Sequence, residues 1–179
     1  MAETGGRAEV VLDTERLTVR QWTGGDLDRA FDTYARWEVA RWLGSAPRAM
    51  AEAAEARAFV ERSRLRSADP RFGLWAVEVR DTGLVAGSVL LLPLPDGDGE
   101  VEIGWHLHPD SWGHGYATEA ALAVLAKGFA DGLDEILAVV RPDNHRSTAV
   151  CHRLGMTEHG LTDRWYGAEM TEFRIARPT

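Results

Sequence analysis

Residues 111–120 read Ser-Trp-Gly-His-Gly-Tyr-Ala-Thr-Glu-Ala and lie where a strand pattern gives way to a helical one. Such a junction exposes backbone N–H groups at the positive end of the helix dipole. Gly113 and Gly115 lack the Cβ atoms that would keep an anion away. The backbone of Gly113, His114, Gly115, Tyr116, Ala117 and Thr118 can therefore cradle a phosphate or pyrophosphate. No Gly-Lys-Ser/Thr follows, so this is not a P-loop. Thr118 occupies the third glycine position of a dinucleotide fingerprint, so it is not that motif either. An ordinary glycine turn before a helix has the same spacing. Glu119 would repel a phosphate, so a cradle requires its carboxylate to turn away.

Just upstream, residues 101–108 alternate. Val101, Ile103, Trp105 and Leu107 share one face; Glu102, Gly104, His106 and His108 share the other. A carboxylate and two imidazoles on one face are proton-transfer groups. A salt-bridged or solvated strand has the same look. No Cys or carboxylate at ligand spacing accompanies the two histidines, so no metal is expected.

The chain that must position these groups has 179 residues, 45% of them hydrophobic, enough for one sizeable core. Twenty Lys and Arg against 28 Asp and Glu give a net charge of −8, which argues against a nucleic-acid partner. The single Cys151 excludes an internal disulfide and four-Cys metal sites. No apolar run is long enough for a membrane helix, and the start does not resemble a signal peptide, so a cytoplasmic protein with no membrane partner is expected.

Residues 1–10 are expected to be a flexible tail and 11–179 one domain. Strands are predicted at 17–20, 72–80, 84–92, 101–108, 136–140, 157–166 and 169–176. Helices are predicted after Asp26, over 50–66, over 115–130 and over 144–154, with Phe59 and Leu65 among the few large apolar residues of the second. The stretch 35–49 reads as loop with helical pieces. The arginines at 57, 62, 64 and 66 read as a solvated helix face balanced by Glu52, Glu55 and Glu61. The unit 101–140 is a strand–helix–strand crossover, hence parallel, while 72–92 is a hairpin, so the sheet is mixed and the class α/β.

Trp112-Gly113-His114-Gly115-Tyr116-Ala117-Thr118-Glu119-Ala120, preceded by Glu102-Ile103-Gly104-Trp105, resembles the acetyl-CoA loop of the GNAT N-acetyltransferase superfamily, RimJ/RimL-like branch. Asn144-His145-Arg146-Ser147, Arg153-Leu154-Gly155-Met156 and Thr14 to Arg20 resemble further segments of that branch, in the right order over residues 12–176. The resemblance implies a three-layer domain. Its twisted mixed sheet would be flanked by helices, with the parallel strands at 101–108 and 136–140 splayed around acetyl-CoA. It implies that backbone groups of Trp105, His106, Leu107 and His108 pair with the pantetheine arm. Gly113 to Thr118 would hold the pyrophosphate, with Asn144, Ser147 and Arg153 as further contacts.

The implied activity is transfer of an acetyl group from acetyl-CoA to a primary amine, in a ternary complex. The acceptor is a protein N-terminal amine or a small-molecule amine. Glu102 is the candidate general base, alone or through water, and Ser147 the candidate acid for the leaving thiolate. Tyr34, Trp37 and Trp42, with Glu102, are the candidate acceptor-binding residues, in the stretch where the family builds its acceptor pocket; ordinary core packing is the alternative. Trp165 and Tyr166 lie in another acceptor-side segment. Two departures stand out. Asp110 replaces a Gln or Arg that often begins the loop, and Cys151 stands where many members carry a Tyr acid. The missing Tyr keeps open a catalytically weak CoA-binding sensor or interaction module. A homodimer is compatible with the pattern but not required by it.

Overall fold

The computed structural model describes residues 8–179. Eight strands form one sheet: β1 (Val10–Asp13), β2 (Leu17–Arg20), β3 (Gly73–Val79), β4 (Val85–Pro93), β5 (Val101–Leu107), β6 (Glu135–Val140), β7 (Thr157–Thr162) and β8 (Met170–Ala176). Their spatial order is β1-β2-β3-β4-β5-β6-β8-β7. The helices are α1 (Leu27–Ala35), α2 (Trp37–Ala40), α3 (Ala53–Arg66), α4 (Tyr116–Ala130) and α5 (His145–Arg153). Among the described residues no helix is long and apolar enough to cross a membrane.

Strand alternation divides the core. Trp75 and Val77 of β3 and Ile103 of β5 join Val124 and Leu125 of α4 and Val150 and Cys151 of α5 on one face. Leu74 and Ala76 of β3 turn to the other, against Trp22, Ala30 of α1, and Ala56 and Val60 of α3. Helices therefore cover both faces, which is the three-layer arrangement the family resemblance implies. A third, smaller cluster of Leu94, Leu137 and Trp165 lies beneath the β7–β8 turn.

The β4–β5 pairing is continuous from Gly87↔Leu107 to Pro93↔Val101. The parallel β5–β6 pairing, by contrast, is registered only at Glu102↔Leu137, and beyond it the two strands diverge. The His108 N–H bonds to the Ala86 carbonyl at 2.9 Å. Backbone groups alternate sides along a strand, so those of His106 face β4, while those of Trp105 and Leu107 face the widening gap. Half of the backbone predicted to meet the pantetheine is thus spent on β4.

Several boundaries differ from the sequence pattern. Residues 1–7 lie outside the described residues. The first strand begins at Val10, inside the stretch expected to be tail, and Glu9 accepts from Gln21 N–H at 2.9 Å. Asp26 does precede α1, yet its carboxylate caps no α1 N–H. It accepts instead from Thr23 N–H at 2.9 Å and from both terminal nitrogens of Arg20, at 2.8 and 2.9 Å. Leu65 is 67% exposed, because α3 buries the small side chains Ala56, Val60 and Ser63. The strand predicted over 157–166 stops at Thr162; Trp165 is fully buried from within a loop.

Candidate active site

A cavity of about 990 Å³ lies where β5 and β6 part, open toward α1, α3 and the β7–β8 turn. Glu102, Gly104, Trp105 and His106 line it from β5, Val139 and Val140 from β6, and Asn144 and Ser147 from the start of α5. Tyr34, Trp42, Phe59 and Tyr166 complete its far wall. Its size suits a cofactor arm together with a small group beside it.

Glu102 is 9% exposed, on the face opposite Ile103. Burial pushes its carboxyl up to about 7, against the opposing pull of the Tyr166 hydroxyl and the Arg66 charge. The Tyr166 hydroxyl donates to Glu102 Oε1. Tyr166 sits at φ 57°, a left-handed conformation that a bulky aromatic residue rarely adopts. That outlier is held by its neighbours. Trp165 Nε1 donates to Glu172 Oε2 at 2.7 Å, and the Arg164 guanidinium lies 4.3 Å over the Trp165 ring. Strain kept by its surroundings is a mark of functional positions.

His106 is half-buried beside the same cavity, and desolvation pushes its imidazole down to about 4, with the Arg66 charge adding to the effect. The ring is therefore neutral at neutral pH. Its Nδ1 lies 3.3 Å from the Tyr34 hydroxyl, which is 2.7 Å from Ser88 Oγ. His108 leaves the cavity altogether. Its Nε2 lies 2.9 Å from Asp32 Oδ2, and its Nδ1 accepts from Asp110 N–H at 3.2 Å. Asp110 is gripped by both terminal nitrogens of Arg29, at 3.0 and 2.7 Å, and the Arg29 hydrogen bonds hold its carboxyl well below the usual carboxylate range. This network ties α1 to the loop before α4.

The glycine loop has the geometry an anion cradle needs. Gly113 and Gly115 both sit at φ 80°. Open space surrounds the place a Gly113 Cβ would take, and Arg16 Nη2 lies 3.5 Å from that of Gly115. Glu119 is turned away from the loop. Its carboxylate accepts from Thr14 Oγ1 at 2.6 Å, Arg16 N–H at 2.9 Å and Arg16 Nε at 2.7 Å. Arg16 Nη1 also donates to the His114 carbonyl at 3.0 Å. A guanidinium thus stands at the loop although Asp110 occupies the place where a positive residue was sought. His114 stacks on Tyr116 at 5.3 Å. Nothing in the local sequence pointed to Arg16, which arrives from the β1–β2 turn.

The remaining candidates are placed as follows. Asn144 Oδ1 caps α5 by accepting from Ser147 N–H at 3.3 Å, and both residues line the cavity. Arg153 is exposed at the last turn of α5, away from the cavity. Trp37 is 54% exposed and outside the cavity wall, whereas Tyr34 and Trp42 are part of it. Cys151 is fully buried, and burial pushes its thiol up to about 12. It is a core side chain, not a proton donor.

The site can therefore hold an anion at one end, receive an extended arm along the unpaired edge of β5, and move a proton at Glu102. The acetyltransferase (GNAT) domain family matches residues 16–157. An N-acetyltransferase of uncharacterised role from Bacillus subtilis (strain 168), YoaA, is 30% identical over 152 residues, covering 84% of this chain and 85% of its own. A GNAT-family acetyltransferase structure from Bacillus anthracis superposes with a TM-score of 0.78 at 23% identity, over 92% of this chain and 96% of that one. Mycobacterium smegmatis RimJ, solved with CoA-disulfide, gives 0.75 at 21% identity, over 89% and 81%. The chain is an acetyltransferase belonging to the GNAT family.

Proposed function

We propose that this protein transfers the acetyl group of acetyl-CoA to a primary amine by direct attack in a ternary complex. The observation that carries the reading is one cavity joining Glu102, buried with a carboxyl near 7, to the gap between β5 and β6. The backbone N–H groups of Gly113 to Thr118 would hold the pyrophosphate, with Arg16 beside them. The free edge of Trp105 and Leu107 would pair with the pantetheine amides as an added strand. Acetyl-CoA supplies a thioester carbonyl; the amine nitrogen bonds to its carbon as the C–S bond breaks, and the pair leaves as thiolate.

Glu102, as carboxylate, takes the proton that an ammonium must lose before its nitrogen is nucleophilic. Its elevated value suits that task near neutrality. The Tyr166 hydroxyl keeps it aimed and partly ionised. Ser147, on the cavity wall, would return a proton to the thiolate. Tyr34 and Trp42 bound the space for the acceptor. The test is incubation with acetyl-CoA and a panel of amines, following free thiol and product mass. Acetylated amine with stoichiometric thiol release supports the reading. Tight acetyl-CoA binding with no turnover on any amine would leave a CoA-binding sensor instead.

A further inference from the structure

Helix α3 spends its buried face on Ala56, Val60 and Ser63. The neighbouring stripe, Phe59, Arg62 and Arg66, turns to the cavity. Arg62 and Arg66 are one helical turn apart, where like charges repel. Neither has a carboxylate partner among the described residues, whereas Arg64 lies 3.5 Å from Glu61 and Arg48 pairs with Glu55. With 28 acids to 20 bases in the chain, partners were not scarce. The other acids on the wall are engaged: Glu55 by Arg48, Asp69 by Arg71, Glu102 by Tyr166. The Arg66 charge is felt at Glu102, His106 and Tyr166, so it reaches the reaction centre. The cavity wall is thus locally positive in a protein of net charge −8.

A positive wall repels a simple ammonium and attracts an anion. Guanidinium groups match carboxylate and phosphate oxygens with paired N–H donors. We propose that Arg62 and Arg66 form an anion subsite for the acceptor, which is a primary amine bearing a carboxylate or phosphate group. The proposal rests on the acetyl-transfer reading and assigns the substrate class for that same site. The anion would dock on α3 while the amine reaches Glu102. Once docked, the anion's own charge offsets the cost of bringing the attached ammonium toward Arg66.

The test uses amine pairs differing only in the anion: phosphoethanolamine and ethanolamine, β-alanine and its amide, and a tetrapeptide with acidic or amidated second and third residues. Binding to the CoA-saturated protein is followed by tryptophan fluorescence, in the wild type and an Arg62→Gln/Arg66→Gln variant. Both positions are exposed and Gln suits a helix, so the fold is retained. The expected result is an anionic member binding roughly tenfold or more tighter than its neutral twin. That gap falls below about threefold in the variant, with acetyl-CoA affinity unchanged. Which pair responds separates a small amine from an acidic peptide. No preference in the wild type, or a preference that survives in the variant, overturns the subsite. So does weakened acetyl-CoA binding in the variant, which would assign the arginines to the donor. Turnover is read separately: selective binding without acetylation leaves the subsite standing and removes the transfer reading.

Discussion

The two halves of the cavity are built from different materials. In the proposed reading the donor side is mostly backbone: the unpaired edge of β5, the glycine loop and the first turns of α4 and α5. The proposed acceptor side is side chains drawn from α1, the α1–α3 connection, α3 and the β7–β8 turn. Backbone recognition needs only strand divergence and two glycines at φ 80°, so many sequences can supply it. Side-chain recognition depends on what each of several distant positions carries. The division implies that donor binding is generic and acceptor choice is particular to this chain.

Substitutions can force the two halves apart. The largest effect is expected for Glu102→Gln: turnover should fall by about 10²- to 10⁴-fold with acetyl-CoA affinity unchanged. The same substitution should stabilise the fold at alkaline pH. The carboxyl lies at about 7 in the folded protein, above the ordinary 4.5, so its ionisation opposes folding. That opposition is absent below 4.5 and complete above about 7. Chemical denaturation at pH 8.5 should therefore show a gain of up to about 3 kcal/mol, shrinking to nothing at pH 4.5.

Tyr166→Phe comes next. Losing the phenol's donation removes a pull that lowers Glu102, so the carboxyl should rise further. The acid limb of kcat/KM should move to higher pH, with a loss of roughly tenfold at pH 7 that recovers in alkali. A uniform loss across pH would mean the phenol only packs. Arg16→Gln tests the donor side. Gln removes the guanidinium that balances Glu119 beside the loop, and acetyl-CoA affinity should fall about three- to tenfold in low salt and less in high salt. The smallest effect is expected for Cys151→Ala. Turnover per folded molecule should be unchanged, and stability should drop by about 1 kcal/mol for the lost packing.

The same contrast explains what the sequence made legible. Donor-side features are local: the Glu102/Gly104/His106 alternation, the two glycines and the Asn144 cap can each be read within a few residues. The crossover rule then made β5 and β6 parallel, as they are. Acceptor-side features are not local. Tyr166 reaches Glu102 across 64 positions; on the donor side Arg16 is an exception to the local rule, reaching Glu119 across 103. Arg62 and Arg66 looked like a solvated face because helix periodicity does not say which polar stripe borders a cavity. Trp165 extended the strand pattern because a buried loop tryptophan has the same apolar signature as a strand residue. Trp37 fell in the right segment but on its outer surface.

The division between the halves is tested most directly by calorimetric titration of acetyl-CoA into the wild type, a Gly113→Val/Gly115→Val variant and Glu102→Gln. A Val Cβ would occupy the space the anion needs and would be strained at φ 80°. Micromolar binding to the wild type and Glu102→Gln, with at least about 100-fold weaker binding to the glycine variant, is the predicted result. No binding to the wild type, or equal binding to all three proteins, would contradict a donor site built on the glycine loop.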